Sequence, residues 1–78
     1  MYQFPSMKTK ELIRCLCRSP LYYKIIRQKG SHRTLKSACY PTLTIGYHDS
    51  VEVSGRYIKN LLVNEIGLSE DMARQVIS

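Results

Sequence analysis

The chain has 78 residues, of which 44% are hydrophobic and none is tryptophan, and its formal net charge is +6. This length predicts one domain over residues 1–78, because two separate cores would each be too small to be stable. The thin core that remains excludes a deep, enclosed pocket, so we expect a ligand that lies across the surface, as a polymer does.

The positive charge is concentrated in the first half of the chain. Residues 8–36 contain nine basic side chains and one acid, Glu11, for a net +8, whereas the remainder carries −2. The nine basic residues are Lys8, Lys10, Arg14, Arg18, Lys24, Arg27, Lys29, Arg33 and Lys36. Such an asymmetric field attracts a polyanion to one side of the molecule, which favours nucleic acid as the partner.

The three cysteines, Cys15, Cys17 and Cys39, indicate neither a disulfide framework nor a zinc site. An odd number cannot all pair within the chain, and Cys15-x-Cys17 lacks the two-residue gap of a zinc knuckle. No apolar run resembles a secretory signal or approaches the ~20 residues of a membrane span. We therefore expect a cytoplasmic protein with reduced thiols, small apolar packing for the cysteines, no metal, no cofactor and no membrane partner.

The predicted elements begin with an extended lead over residues 1–8 and a helix from an N-cap at Thr9 to about Cys17. Ser19-Pro20 ends this helix, because proline disfavours helical geometry in the residue before it. Three strands follow over residues 22–28, 32–37 and 42–47. The first two are joined by a tight turn in which Gly30 can take a positive φ.

A second helix is predicted from an N-cap at Ser54 to about Ile66, with Gly67 directly after its end. Ser69 begins a last short helix. The predicted fold is therefore α+β, in the order α-β-β-β-α, with helices on one face of a three-stranded antiparallel sheet and a short C-terminal helix. That last helix either packs on the core or adds a contact with a partner.

The other face of the sheet is expected to be open. Side chains alternate across a strand, so Leu35, Leu43 and Ile45 should face the helices. The first strand stays ambiguous, because Ile25 and Ile26 are adjacent. The side chains expected on the open face are His32, Thr34, Lys36, Thr42, Thr44, Gly46 and, if the alternation continues through Tyr47, His48. This face is polar and lacks an aromatic platform for stacking single-stranded bases.

Four segments, in this order, resemble the HicA toxin family. They are MKTKELIRCL at 7–16, IIRQKGSH at 25–32, the LTI strand ending in Tyr47-His48, and SGRYIKNLLVNEIG at 54–67. The resemblance covers a core of residues 7–67 and leaves residues 68–78 as a C-terminal extension. Its most specific feature is the lysine-glycine-serine-histidine turn that enters a strand.

The resemblance implies a fold like the double-stranded-RNA-binding domain and a metal-independent endoribonuclease that acts on mRNA as the toxin of a toxin–antitoxin pair. It also implies a HicB-like antitoxin that covers the active face. Both a hetero-oligomer with this antitoxin and a homo-oligomer of the toxin stay open. The family's catalytic histidine corresponds to His32, and Gly30 and Ser31 correspond to the turn that positions it. Many members carry a second histidine next in sequence, where this chain has Arg33.

RNA can be cut without a metal, because its 2′-OH is a nucleophile beside the phosphorus and needs only proton transfer and charge stabilisation. His32 is suited to one proton transfer near neutral pH. Candidates for the second acid or base are His48, which the alternation favours, and Lys29, Lys36 and Tyr47. Arg27, Lys29 and Lys36 are suited to phosphate contact.

Two other functions fit the same charge and fold. One is a non-catalytic RNA-binding module of the double-stranded-RNA-binding type, which differs only in the role of His32. The other is a partner subunit whose basic face docks an acidic protein. A steep salt dependence of binding distinguishes nucleic acid from the latter.

Overall fold

A computed structural model describes residues 3–78 and has the α+β order that the sequence predicts. The helices are α1 (Thr9–Cys17), α2 (Gly55–Lys59), which continues as a π-helical segment (Asn60–Glu65), and α3 (Glu70–Ile77). The strands are β1 (Met7–Lys8), β2 (Lys24–Lys29), β3 (His32–Lys36), β4 (Leu43–Ile45) and β5 (Glu52–Val53). The shortest dimension, 18 Å, leaves room for one layer of sheet and one of helices.

The three-stranded antiparallel sheet has the order β2-β3-β4, so β3 is central and β2 and β4 are edges. A pair not predicted from the sequence, β1 with β5, forms a second small antiparallel sheet. The extended lead predicted over residues 1–8 therefore ends in a strand, while its first two residues lie outside the described part of the chain.

The start of α1 is not capped in the predicted way. Thr9 was expected to be the N-cap, but it is the first helical residue, and its hydroxyl donates to the carbonyl oxygen of Val51 at 2.8 Å. The backbone amides of Thr9 and Lys10 donate to the carbonyl oxygens of Val51 and Asp49. A loop before β5 thus satisfies amides that a side-chain cap would otherwise bind. These hydrogen bonds also fix the loop to the helix layer.

The core lies between the three-stranded sheet and the helices. From the sheet it takes Leu35, Leu43 and Ile45, each at most 2% exposed. From the helices and the segments that flank them it takes Leu12, Leu16, Ile58, Leu61, Leu62, Leu68, Ala73 and Val76, among others. The extension over residues 68–78 therefore packs on the same core as the rest of the chain.

The predicted helix over residues 54–66 is one continuous helical run with a change of pitch. Ser54 caps it by accepting the amide of Tyr57 at 3.1 Å, and Gly67 follows with φ +91°, both as predicted. Gly55 allows a close approach of the N-terminal segment, because a Cβ there would lie 1.8 Å from the carbonyl oxygen of Phe4. The π-helical turn keeps Leu61 and Leu62 buried.

The thiols of Cys15, Cys17 and Cys39 are free. Apolar packing, the predicted explanation for all three, holds for the buried Cys15 and is wrong for Cys17 and Cys39, which are exposed. Within residues 3–78, no helix is long and apolar enough to cross a membrane.

Candidate active site

The face of the sheet away from the helices carries the predicted candidate residues. On β3 the helix-facing Arg33 and Leu35 are buried, whereas His32 and Lys36 are exposed and Thr34 is half-buried. On β4, Thr44 is exposed and pairs with Thr34 in the register of the sheet. The predicted division of β3 and β4 into two faces is therefore confirmed.

A β-bulge in β2 decides which of its side chains join this open face. Lys24 pairs with Lys36 and Ile25 with Leu35, but the next pair is Arg27 with Thr34, so Ile26 is an extra residue. Strict alternation would place Lys24 on one face and Arg27 and Lys29 on the other. Because the bulge shifts the alternation by one residue, these three cations lie on the same face as their partners on β3. Neither of the adjacent isoleucines is buried, since Ile25 is 43% and Ile26 is 57% exposed.

His32 is the first residue of β3 and lies at the turn end of the β2–β3 hairpin. It pairs with Lys29 across a two-residue loop in which Gly30 has φ +61°. Its imidazole lies against the backbone of Gly46, because a Cβ there would be 3.2 Å from both Nε2 and Cδ2 of His32. The bare backbone just after β4 and a cation on β2 therefore flank the ring.

The cations on this face are not neutralised by neighbouring carboxylates. Within the described residues, none of Lys24, Arg27, Lys29 and Lys36 forms an ion pair with an acid. The acids that do pair are bound to residues of the helices or to Arg33. The open face thus presents four cations without carboxylate partners among the described residues, from Lys29 opposite His32 to Lys24 and Lys36 at the other end of the hairpin.

His48 was selected because alternation along the third strand would bring it to the side of His32. β4 ends at Ile45, so that alternation does not extend to His48, which lies in a turn closed by the bond from the amide of Val51 to its carbonyl oxygen. His48 lines a groove together with Arg33, Asp49 and the turn residues Gly30 and Ser31 that precede His32. The strand alternation that was expected to place His48 beside His32 is therefore absent, and its role as the second acid or base stays a prediction.

Arg33, which stands where many HicA-like sequences have a second histidine, is a buried structural residue. It is 7% exposed, and its guanidinium donates to Asp49 Oδ1 at 2.5 Å and to the carbonyl oxygen of Tyr47 at 2.9 Å. The backbone carbonyl oxygen of Asp49 accepts the amide of Lys10, so the loop after β4 is tied to α1 through its backbone and to the sheet through Arg33. Its Nε has no hydrogen-bond partner among the described residues.

Tyr47, another candidate for proton transfer, packs against a helix. Its ring makes an edge-to-face contact with the ring of Tyr57, with centroids 5.4 Å apart. This contact places the ring beside α2, although Tyr47 remains 43% exposed.

Sequence reasoning missed an aromatic side chain beside the open face. Tyr22, which was assigned to the first strand, precedes β2 and is 64% exposed. It lines a groove with Ile26, Lys24 and Lys36, at the end of the hairpin away from His32. An aromatic side chain therefore borders the open face, although none was expected on it. The Tyr22-Tyr23 pair before β2 was the signal that could have indicated it, but only Tyr22 of that pair is exposed.

Within residues 3–78, no three side chains of His, Cys, Asp or Glu lie together in a way that could hold a metal ion. Comparisons with protein-family models, with curated proteins and with solved structures find no match for this chain.

Proposed function

We propose that this protein is a metal-independent endoribonuclease of the HicA kind, which cuts mRNA with His32 as its catalytic residue. The observation that carries the proposal is the position of His32, on a solvent-facing sheet surface between Lys29 and the bare backbone of Gly46. The four sequence segments that resemble HicA toxins support the same activity, and they support a cytoplasmic toxin paired with a HicB-like antitoxin.

In the proposed reaction the 2′-oxygen of RNA attacks the adjacent phosphorus. The bond from phosphorus to the 5′-oxygen of the next nucleotide breaks, which leaves a 2′,3′-cyclic phosphate and a free 5′-OH. His32 accepts the proton of the 2′-OH, for which a neutral imidazole in contact with solvent is suited. The departing 5′-oxygen takes a proton from Lys29 or from water.

The charge that develops on the phosphoryl oxygens needs donors fixed in place before the reaction. Lys29 lies directly opposite His32 in the hairpin, and Arg27 lies on the same face two residues before it. Both are free of carboxylate partners within the described residues. Lys36, the third predicted phosphate contact, lies farther along β3, where it can bind a neighbouring phosphate.

The test is cleavage of a single-stranded RNA by the wild type and by His32→Ala, in EDTA and without ribosomes. We expect cutting by the wild type alone and products that end in a 2′,3′-cyclic phosphate. An RNA with 2′-deoxy nucleotides should bind and stay whole, because it lacks the nucleophile. The loss of rate in His32→Ala should be about 10²-fold or more, the size of a general acid–base contribution.

His48→Ala is the comparison variant, because the strand alternation that would place His48 beside His32 ends at Ile45. It should cleave at the rate of the wild type. Undiminished cleavage by a folded His32→Ala protein would contradict the assignment of His32. RNA binding without cleavage by the wild type would instead favour the non-catalytic RNA-binding module.

A further inference from the structure

We infer that the groove at Tyr22 is a subsite for one nucleobase of single-stranded RNA, bound along the open face and away from the cut. The inference rests on the proposed function, because it takes RNA to be the substrate. It adds a recognition element that the charge and the catalytic residue do not supply.

The ring of Tyr22 is available for stacking. It is 64% exposed, and within the described residues it has no ring contact, since the aromatic pair found there is Tyr47 with Tyr57. Ile26, the extra residue of the bulge, is 57% exposed and lines the same groove. A planar, apolar base can cover both side chains, and aromatic rings are the usual platforms for single-stranded bases.

The backbone holds Tyr22 in one position. Its φ of +50° is uncommon for a residue with a side chain. Its amide donates to the carbonyl oxygen of Arg18, and its neighbours Leu21 and Tyr23 are 1% and 2% exposed. Because buried residues on both sides fix this segment, little conformational entropy is lost when a ligand covers the ring.

A hydrogen bond of Tyr23 also holds the segment around Tyr22 in place. Its phenol donates to the carbonyl oxygen of Pro41 at 2.7 Å. Burial, with a smaller contribution from Tyr40, raises the pKa of Tyr23 to about 12. The phenol therefore stays a donor at physiological pH, and the exposed ring of Tyr22 keeps its position.

The charges around the groove favour a nucleotide over an uncharged apolar ligand. Lys24 and Lys36, which pair across the hairpin, both line it. They continue the set of free cations that includes Arg27 and Lys29, so a strand bound at His32 meets positive charge up to the groove. The groove holds about 430 Å³, within the usual size of small-ligand sites.

The spacing along β3 separates the groove from the scissile phosphate. Lys36 lies four residues beyond His32, which corresponds to roughly 13 Å along a strand. Each nucleotide adds six single bonds to the RNA backbone, so an extended RNA strand covers this distance with about two nucleotides. The base in the groove therefore belongs to a nucleotide near the cut and not to the one that is cleaved.

The experiment compares the affinity of the protein for a single-stranded RNA and for an abasic RNA of the same length, which keeps the phosphates and lacks the bases. His32→Ala protein is used so that the RNA stays whole. We expect this protein to bind the RNA with bases more tightly, and Tyr22→Ala in the same background to lower that affinity about tenfold, as for loss of one stacking contact. Its affinity for abasic RNA should not change.

Tyr22→Phe is the matched control, because it keeps the ring and removes the hydroxyl. In the His32→Ala parent protein it should leave the affinity for both RNAs unchanged. Lys24→Ala should weaken both RNAs equally, because it removes a charge. Equal affinity of the parent for the two RNAs, or no effect of Tyr22→Ala, would overturn the inference.

A second measurement leaves Tyr22 intact. Cys39 lines the groove, whereas Cys17, the other exposed cysteine, is the last residue of α1. RNA should slow alkylation of Cys39 and leave that of Cys17 unchanged, and abasic RNA should protect Cys39 less. Equal protection of Cys39 by the two RNAs would refute the subsite.

The two proposals fail in different ways. Binding by His32→Ala protein does not depend on catalysis. If this protein prefers RNA with bases but the wild type does not cut RNA, only the proposed nuclease activity is refuted. Cleavage by the wild type with no difference between the RNAs would remove only the subsite.

Discussion

At the scale of single residues, the position of His32 depends on a neighbour with no side chain. Gly46 lies under the imidazole, and a Cβ there would be 3.2 Å from two ring atoms. Such a contact forces the ring to move by a few tenths of an ångström. Proton transfer is sensitive to displacements of this size, since about 1 Å of misplacement can cost a hundredfold in rate.

Gly46→Ala should therefore lower the rate of RNA cleavage about tenfold, by displacing the ring of His32. Its free energy of unfolding should stay equal or rise by about 0.5 kcal/mol, because alanine reduces the entropy of the unfolded chain. Thr44→Ala, on the same strand and face, is the control and should cleave normally. The measurements are single-turnover cleavage and urea unfolding, and wild-type cleavage by Gly46→Ala would refute this role.

At the scale of elements, the N-terminal segment and α2 depend on each other through Gly55. The segment crosses so close to the helix that a Cβ on Gly55 would overlap the carbonyl oxygen of Phe4 at 1.8 Å. Phe4 is buried against the core, so the segment cannot simply move outward without exposing its ring. Hydrogen bonding in the β1–β5 pair adds to this constraint.

We expect Gly55→Ala to destabilise the protein by about 1 kcal/mol, since overpacking costs about 2 kcal/mol. This cost exceeds the gain in helix propensity of about 1 kcal/mol from alanine. Arg56→Ala, at an exposed position next in sequence, should change stability by less than about 0.5 kcal/mol. Urea denaturation measures both, and equal stabilities of the two variants would contradict the close approach.

The sequence predicts the elements whose signals are local. The cap at Ser54, the positive φ of Gly30 and Gly67, and the alternation around Leu35 all follow from short-range chemistry, and all are confirmed. The cap of α1 is wrong, because its amides bind a loop more than 35 residues away in sequence. Pairing of β1 with β5 and the bulge in β2 depend on tertiary contacts in the same way.

The candidate site divides along the same line. His32 and its hydroxyl neighbours follow from alternation, and the structure puts them on one face. Placing His48 beside them assumed that the alternation continues for three residues beyond the end of β4 at Ile45. Gly46 and Tyr22 acquire their roles only when the register of the hairpin and the exposure of each side chain are known.

At the scale of the whole molecule, charge is divided between the two layers. The open face carries Lys24, Arg27, Lys29 and Lys36 without carboxylate partners among the described residues, whereas ion pairs such as Lys59 with Glu70 lie in the helix layer. A polyanion is therefore directed to the sheet.

The affinity for single-stranded RNA should fall steeply with salt. Four phosphate contacts predict a slope of about −3 in a plot of log K against log salt, at ~0.7 per contact. Lys36→Ala should reduce the steepness by about 0.7, because one contact is lost. Lys59→Ala, which removes the same charge from the helix layer, should leave the slope unchanged. A similar loss in both variants would show that only the net charge matters.

The extra residue in β2 also affects how related sequences can be compared. A relative without the equivalent of Ile26 would keep the pairs Lys24 with Lys36 and Lys29 with His32, so an alignment gap at this position is structurally neutral for the cations. A deletion at Gln28 instead would make Arg27 and Lys29 adjacent and place these two cations on opposite faces of the strand. Homology searches with this hairpin should therefore permit a one-residue deletion at Ile26 and penalise one elsewhere between Arg27 and Lys36.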